Sequence, residues 1–449
     1  MLSRRGLFRI GAASVGSLAL RPLGLLPALA QGGPDYRALV CIFLFGGNDS
    51  NNTVVPMDDA SYKLYLANRG ALALSGAELT STVSTANGAP YAFHSGLSEL
   101  ASLFSSKELA VVANVGSLVQ PLTRAQYQAS VMPRPSNLFS HSDQQLQWQS
   151  SIAQGNSSTG WAGRAADYAA ANGFNASLFP TFFSVAGNSF MGAGMNTTPV
   201  ALAPGGSLQI TGSNGTTPEA IARTKALEMQ LLSTDTGLSL VQAAGHVVAN
   251  SITDADALSA ALGKSRALST QFPATGIGAQ LKQVAEIIQV HASLGMQRQI
   301  FFCALGGFDT HTDELNQHKN LYPQLSPAIA AFYNATQELG VAQDVTTFTE
   351  SDFSRTFQAT SGNGSDHAWG SHHMVVGGAV KGGRVFGRFP SFQLGGPDDT
   401  DTRGRWIPTT SIDQYGATLS SWFGIPQSAL FSIFPNLGNF DSGNLGFLG

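Results

Sequence analysis

The sequence predicts an α/β fold built on a mostly parallel sheet. Three observations carry that reading. Short continuous apolar runs, each closed by glycine, have the composition of strands buried on both faces. Segments with apolar residues at helical spacing lie between them. The two patterns alternate along the chain, which is the order that a parallel sheet with helical crossovers requires.

The first apolar run is Ala38–Phe45, ended by Gly46-Gly47. Leu97, Leu100, Ala101 and Phe104 then recur at helical spacing. Leu109–Val115, closed by Gly116, is the second strand, and Thr181–Val185 is a third. The stretch from 188 to 214 breaks the rhythm with Gly, Ser, Thr and Asn, and a helical segment, Pro218–Lys264, follows it. We read 188–264 as an insertion capping the sheet. Leu281, Val284, Ile287, Ile288 and His291 mark one face of a helix that Gly295 terminates. Ile300–Leu305 is the next strand, closed by a second Gly-Gly pair. Ser326-Pro327 has the form of an N-cap and first helical residue, for a helix reaching Leu339. Val345–Thr349 and Met374–Val376 complete the strands.

Composition excludes several classes. Of 449 residues, 12% are charged and 43% hydrophobic, with a net charge of −4, so disorder and a nucleic-acid-binding surface are both unsupported. The 50 glycines have no three-residue period, which excludes collagen. The 2 cysteines, Cys41 and Cys303, cannot form a disulfide scaffold and read as buried thiols. Ser3-Arg4-Arg5-Gly6-Leu7-Phe8-Arg9, an apolar stretch and Ala28-Leu29-Ala30 have the layout of a twin-arginine export signal over residues 1–30. The expected partner is the twin-arginine translocase, the expected location periplasmic or extracellular. No later run is long enough for a membrane span. No clean linker or composition shift divides the remainder, so 31–449 is expected to be one domain.

Polar clusters follow the strands, where open α/β sheets bind ligands. The first strand runs into Asp49, Ser50, Asn51 and Asn52, and Ile300–Leu305 into Asp309 and His311. Val345–Thr349 runs into Asp352 and Arg355, and Asp366, His367, His372 and His373 lie just beyond. Carboxylate with neutral imidazole is a divalent-metal ligand set. Each element has a plainer alternative: Asp49 as a turn cap, Asp309 and His311 as a loop pair, His318 as a helix-surface residue. Neighbours in a strand face oppositely, so one of His372 and His373 points away. No nucleophile elbow, phosphate loop or H-E-x-x-H occurs.

The succession IFLFGGNDSNNTVVP, GGFDTH, TESDFSRT and DHAWGSHHMVVGGAVKGG resembles the exported bacterial proteins grouped as domain of unknown function 1501. WAGR at Trp161–Arg164 and GRWIPTT at Gly404–Thr410 resemble further blocks of that family. The family is similar, distantly, to the alkaline phosphatase and sulfatase superfamily. That resemblance implies a three-layer α/β/α sandwich and hydrolysis of a small anionic phosphate or sulfate ester with zinc, manganese, magnesium or calcium. It implies Asp49, Asp309, His311, Asp352 and one of His372 and His373 as metal ligands, with Asp366 and His367 as further candidates. Phe353 stands where the superfamily has histidine, so His367 is a candidate for the missing ligand. It implies a hydroxyl nucleophile at a helix N-terminus, where Ser140 is the candidate and Ser50 the second. Arg355 either clamps the substrate anion or ties down its loop. The rivals are an inactive exported binding or assembly protein on the same fold, and a carbohydrate-surface protein using Trp161, Trp369, Trp406 and Trp422.

Overall fold

The computed structural model describes residues 35–205, 217–233 and 239–449, apart from Ser81, Ala86 and Leu178. The export signal lies outside the described residues. The strands in chain order are β1 (Arg37–Leu44), β2 (Val54–Pro56), β3 (Val83–Ser84), β4 (Pro90–Phe93), β5 (Leu109–Gly116), β6 (Phe182–Ser184), β7 (Val200–Ala201), β8 (Arg298–Leu305), β9 (Val345–Ser351), β10 (Ser371–Val376), β11 (Arg384–Gly387) and β12 (Thr410–Ser411). Among the described residues, nine form one sheet in the order β11-β5-β10-β9-β1-β8-β6-β7, with β12 also on β5. Only β10 runs against its neighbours; every other pair in this sheet is parallel. β2, β4 and β3 form a small separate sheet.

The alternation of side chains along β1 splits the core into two layers. Val40 and Ile42 pack with Val111, Phe301 and Cys303 against the helices Ser98–Ser105, Gly276–Gln289 and Glu314–Glu338. Leu39, Cys41 and Phe43 pack with Val112, Phe302 and Phe348 against Trp161–Ala171, Ile412–Phe423 and Gln427–Ile433. This is the three-layer α/β/α sandwich. Cys41 and Cys303 are free and buried, and they belong to opposite layers. Pro218–Ser233 and Ser239–Leu262 are helices, and Leu258 and Ala261 join the first layer. No described helix is long and apolar enough to cross a membrane.

Three local expectations change. Ser326 and Pro327 do not start a helix; they lie inside Glu314–Glu338. Ser326 spends its hydroxyl on Glu99 (2.8 Å) and accepts the Leu100 N–H (3.2 Å), so it ties two helices together. The helix expected to end at Gly295 ends at Gln289, with Gly295 (φ +66°) closing the turns beyond. His372 and His373 lie within β10, not before it. The tryptophans proposed as sugar platforms are also accounted for: Trp161, Trp369 and Trp406 are buried, and Trp422 is covered by the Arg37 guanidinium at 5.0 Å.

Several histidines are held inside the protein. Burial pushes the His94 pKa down to about 4, and those of His318, His372 and His373 to about 3, from an ordinary 6.5. The unfolded chain takes up those protons below pH 6.5 and the folded chain does not. These groups therefore leave stability unchanged at high pH and lower it as pH falls from 6.5 towards their folded values. His373→Phe removes one of them. Urea unfolding midpoints should fall less steeply for this variant than for wild type between pH 6.5 and about 4. An unchanged slope would mean that His373 already ionises in the fold.

Candidate metal centre

Register aligns the loops that build the site. Leu44 at the end of β1 pairs with Leu305 of β8 on one side and Ser351 of β9 on the other. The loops 45–49, 306–311 and 352–355 therefore leave the sheet side by side. Because β10 is reversed, its first residue Ser371 pairs with Val115 near the end of β5. The loop carrying Asp366 and His367 reaches the same edge. Gly46 makes the approach possible: its φ is +112°, and a Cβ there would lie 2.4 Å from the Asp309 nitrogen.

The outer part of the site centres on Asp309. Its Oδ1 lies 3.1 Å from His311 Nε2, 3.4 Å from His367 Nε2 and 3.4 Å from His141 Nε2. His311 and His367 face each other Nε2 to Nε2 at 2.9 Å. His141, Asp309 and His367 place their ligand atoms within 4.8 Å of one another. The Asp309 side chain is 48% exposed, so the cluster opens to solvent.

The other nitrogen of each ring fixes its tautomer. His367 Nδ1 is 2.8 Å from the Phe139 carbonyl oxygen, which can only accept, so Nδ1 carries the proton. His141 Nδ1 is 2.7 Å from Asp352 Oδ2, and His311 Nδ1 is 3.3 Å from Asp366 Oδ1. With Asp352 ionised, His141 Nδ1 donates to it, and the facing Asp366 carboxylate favours a proton on His311 Nδ1. His141 and His367 Nε2 with an Asp309 oxygen then form a group that could hold a metal ion, and His311 Nε2 stands beside Asp309 and His367 at its edge. The fixed Nδ1–H to oxygen contact is also the arrangement that orients metal-ligating histidines.

The charges of the three groups differ. The hydrogen bond to Asp352 raises the His141 pKa and favours its charged form, so an ion at Nε2 would have to displace that proton. Burial lowers that of His367 and so favours the neutral ring. Burial pushes the Asp309 carboxyl up, but the hydrogen bond and charge of Arg355, with His311 and His141, hold it below the ordinary carboxylate value.

Several candidates have their polar atoms engaged by the protein itself. Asp352 is fully buried and accepts from His141, Gln145 Nε2 (2.7 Å) and the Gly46 N–H (3.2 Å), so it holds the His141 ring. Asp366 is clasped by Arg403 at 2.5 Å while it faces His311. Arg355 is fully buried; Nη1 donates to Asp309 (2.8 Å) and the Gly46 carbonyl (3.1 Å), and Nε to Ser365 Oγ (3.1 Å). It ties the loops and has no free face for a substrate anion. Ser50 is buried with its hydroxyl on Ser354 at 3.0 Å, away from the opening. Ser140 is the half-buried N-cap of His141–Ser150, with Oγ on Asp143 at 2.5 Å. His372 Nδ1 accepts the Asn114 N–H at 2.9 Å, and the His373 ring sits 4.7 Å from that of Trp148. Neither joins the Asp309 cluster, because β10 carries both into the core.

Asp49 belongs to an inner cluster. It is fully buried and ion-paired with Arg69, which also reaches Glu314 at 2.9 Å. Burial raises the Asp49 pKa to about 6 against the pull of Arg69. His318, expected on a helix surface, is fully buried beside these carboxylates, and both its ring nitrogens are unpartnered. The cluster touches the outer one through Ser365, whose hydroxyl bonds Glu314 and Arg355, and through Asn51 Nδ2, which donates to Asp49 (2.8 Å) and the Arg355 carbonyl (3.0 Å).

Sequence reasoning missed His141 as a ligand candidate. It opens a helix well after the strand Leu109–Gly116, with the helix Arg124–Ala129 between them, so it lacks the immediate strand-end position that singles out the other loops. The role of Asp352 is testable through it. Asp352→Asn keeps the shape but removes the charge that orients His141, so zinc affinity should fall about 10–100-fold with the far-ultraviolet circular dichroism unchanged. Isothermal titration with zinc checks this, and wild-type affinity in the variant would remove Asp352 from the site.

Solved structures similar to this chain include the C-terminal periplasmic domain of EcEptC from Escherichia coli in complex with Zn (TM-score 0.34, 12% identity, covering 89% of this chain and 85% of that one). They include the PsFucS1 sulfatase from Pseudoalteromonas sp. (TM-score 0.32, 8% identity, 93% and 72%). They also include the phosphonate monoester hydrolase of Agrobacterium radiobacter (TM-score 0.31, 10% identity, 87% and 74%). At these scores the likeness carries no conclusion about activity. No curated protein matches the chain. A family profile described as "Protein of unknown function (DUF1501)" matches residues 36–400, most of the chain, and the protein belongs to that family.

Proposed function

We propose that the protein is an exported, metal-dependent hydrolase of phosphate or sulfate esters. The observation that carries this reading is the convergence of the His141, His311 and His367 Nε2 atoms on Asp309 at a solvent-open strand edge. Those four residues would hold the ion, with Asp352, Asp366 and the Phe139 carbonyl fixing the three rings. Three imidazoles with one carboxylate suit zinc, and manganese less well; magnesium and calcium prefer all-oxygen sites. A bound divalent ion would polarise the ester and lower the pKa of a water ligand.

The chain's own groups divide the remaining work. Arg355 holds Asp309 and the Gly46 carbonyl in place. Asp143, beside the Ser140 hydroxyl, accepts its proton in a hydrogen bond and orients it at the start of the helix. Ser140 would attack directly, or leave attack to water. Export by the twin-arginine route into the periplasm, which the first thirty residues suggest, allows loading of the ion before translocation.

A second reading is an inactive exported binding or assembly protein on the same fold. It is favoured by one observation: the arginines around the centre are already engaged, Arg403 with Asp366 and Arg405 with Asp401 at 2.6 Å, besides Arg355. Zinc-loaded protein assayed on aryl phosphates and aryl sulfates separates the readings. Wild type should turn one class over, and His367→Ala should lose both bound zinc and turnover. In that active protein, Ser140→Ala removes nearly all turnover for a serine route and little for a water route. Bound zinc with no turnover on either class would favour the binding protein, and absence of zinc would contradict the metal centre.

A further inference from the structure

The inner cluster has the composition of a second metal site. Asp49, Glu314 and His318 are fully buried and place ligand atoms within 4.8 Å of one another. Both His318 nitrogens are unpartnered, in a place where an unpaired polar atom is costly. A guanidinium nevertheless already stands between the two carboxylates. Arg69 Nη2 pairs with Asp49 and with Glu314.

The remaining donors of Arg69 hold it there. Nη1 donates to the Thr356 (2.8 Å) and Phe357 (2.7 Å) carbonyls, and Nε to Asn52 Oδ1 (3.2 Å). Its guanidinium carbon lies 5.6 Å from the centre of the Phe357 ring. Arginine does not give up its charge. A divalent ion added here would crowd two cations onto the same carboxylates without water between them, which low dielectric makes severe.

We propose that Arg69 is the resident cation of the inner cluster, so that the protein binds one metal ion, and that Asp49, Glu314 and His318 become a divalent-ion site only when Arg69 is removed. The single outer ion rests on the metal-centre reading above; the inner exclusion does not. Arg69 thus does for the inner carboxylates what a second metal would do, without exchanging with solvent. His318 is the ligand left idle by that arrangement.

Metal content, measured after equilibration with excess zinc and gel filtration, tests this. Wild type should carry one zinc per chain, unchanged by Glu314→Gln or His318→Ala. Arg69→Ala should carry one more than wild type, and Arg69→Ala with His318→Ala should lose that extra ion. Two ions in wild type, one of them lost with His318→Ala, would overturn the proposal. A folded Arg69→Ala that gains none would overturn it as well. If Arg69→Ala does not fold, Arg69→Met, which keeps the apolar stem, takes its place, and the wild-type and His318→Ala contents decide between them. No zinc in wild type but a His318-dependent ion in the Arg69 variant would overturn the single outer ion and support the exclusion by Arg69 at the inner cluster.

Discussion

Everything at this site depends on the commitment of three Nδ1 atoms. His141 gives its Nδ1–H to Asp352, which Gln145 and the Gly46 N–H hold; His367 gives its own to the Phe139 carbonyl; and His311 Nδ1 faces Asp366, which Arg403 holds. Phe139 has a positive φ of 71°, uncommon for a residue with a side chain, immediately before the helix that carries His141. The His141 and His367 rings cannot turn without breaking those bonds, so their Nε2 atoms stay beside Asp309. The claim that a cation belongs there follows from that geometry.

The sheet supplies the rest. Equal end registers of β1, β8 and β9 put three loops in contact, and a single reversed strand delivers the fourth. The two glycines after β1 are the structural cost of that closeness. A Cβ at Gly46 would meet the β8 loop, and one at Gly47 would lie 2.4 Å from the Phe353 ring. Phe353 in turn packs against His141 and His367, with ring centres 4.9 and 4.8 Å away. It walls the site with an apolar surface rather than with another ligand.

How far the sequence revealed this depends on the range of the interaction. Strands such as Ala38–Phe45 and Leu109–Val115 were legible because burial on both faces writes a local apolar run. Asp309, His311 and His367 were legible because strand-end loops converge in a parallel sheet. Asp352 and Asp366 were legible as members of the cluster but not as supports, since a ligand and its support share residue types. His141 was overlooked because a helix N-terminus invites attention to the capping serine. His318 sits on a polar-looking turn of helix, and only the inner carboxylates and Arg69, distant in sequence, make that turn interior. Arg69 carried no signal at all, because an arginine at a helix C-terminus ordinarily faces water and the helix dipole. Ser326-Pro327 misled for a related reason: capping preferences are local, and the packing of Ser326 on Glu99 overrode them.

The central claim is that a cation belongs among the His141, His311 and His367 Nε2 atoms and Asp309. Anomalous X-ray diffraction at the zinc absorption edge, on crystals grown with zinc, tests it most directly. The account predicts one strong anomalous peak bonded to those three nitrogens and to Asp309, with Asp352 and Asp366 still on the Nδ1 side of their rings. A peak elsewhere, or none with the same rings in the same orientation, would contradict it.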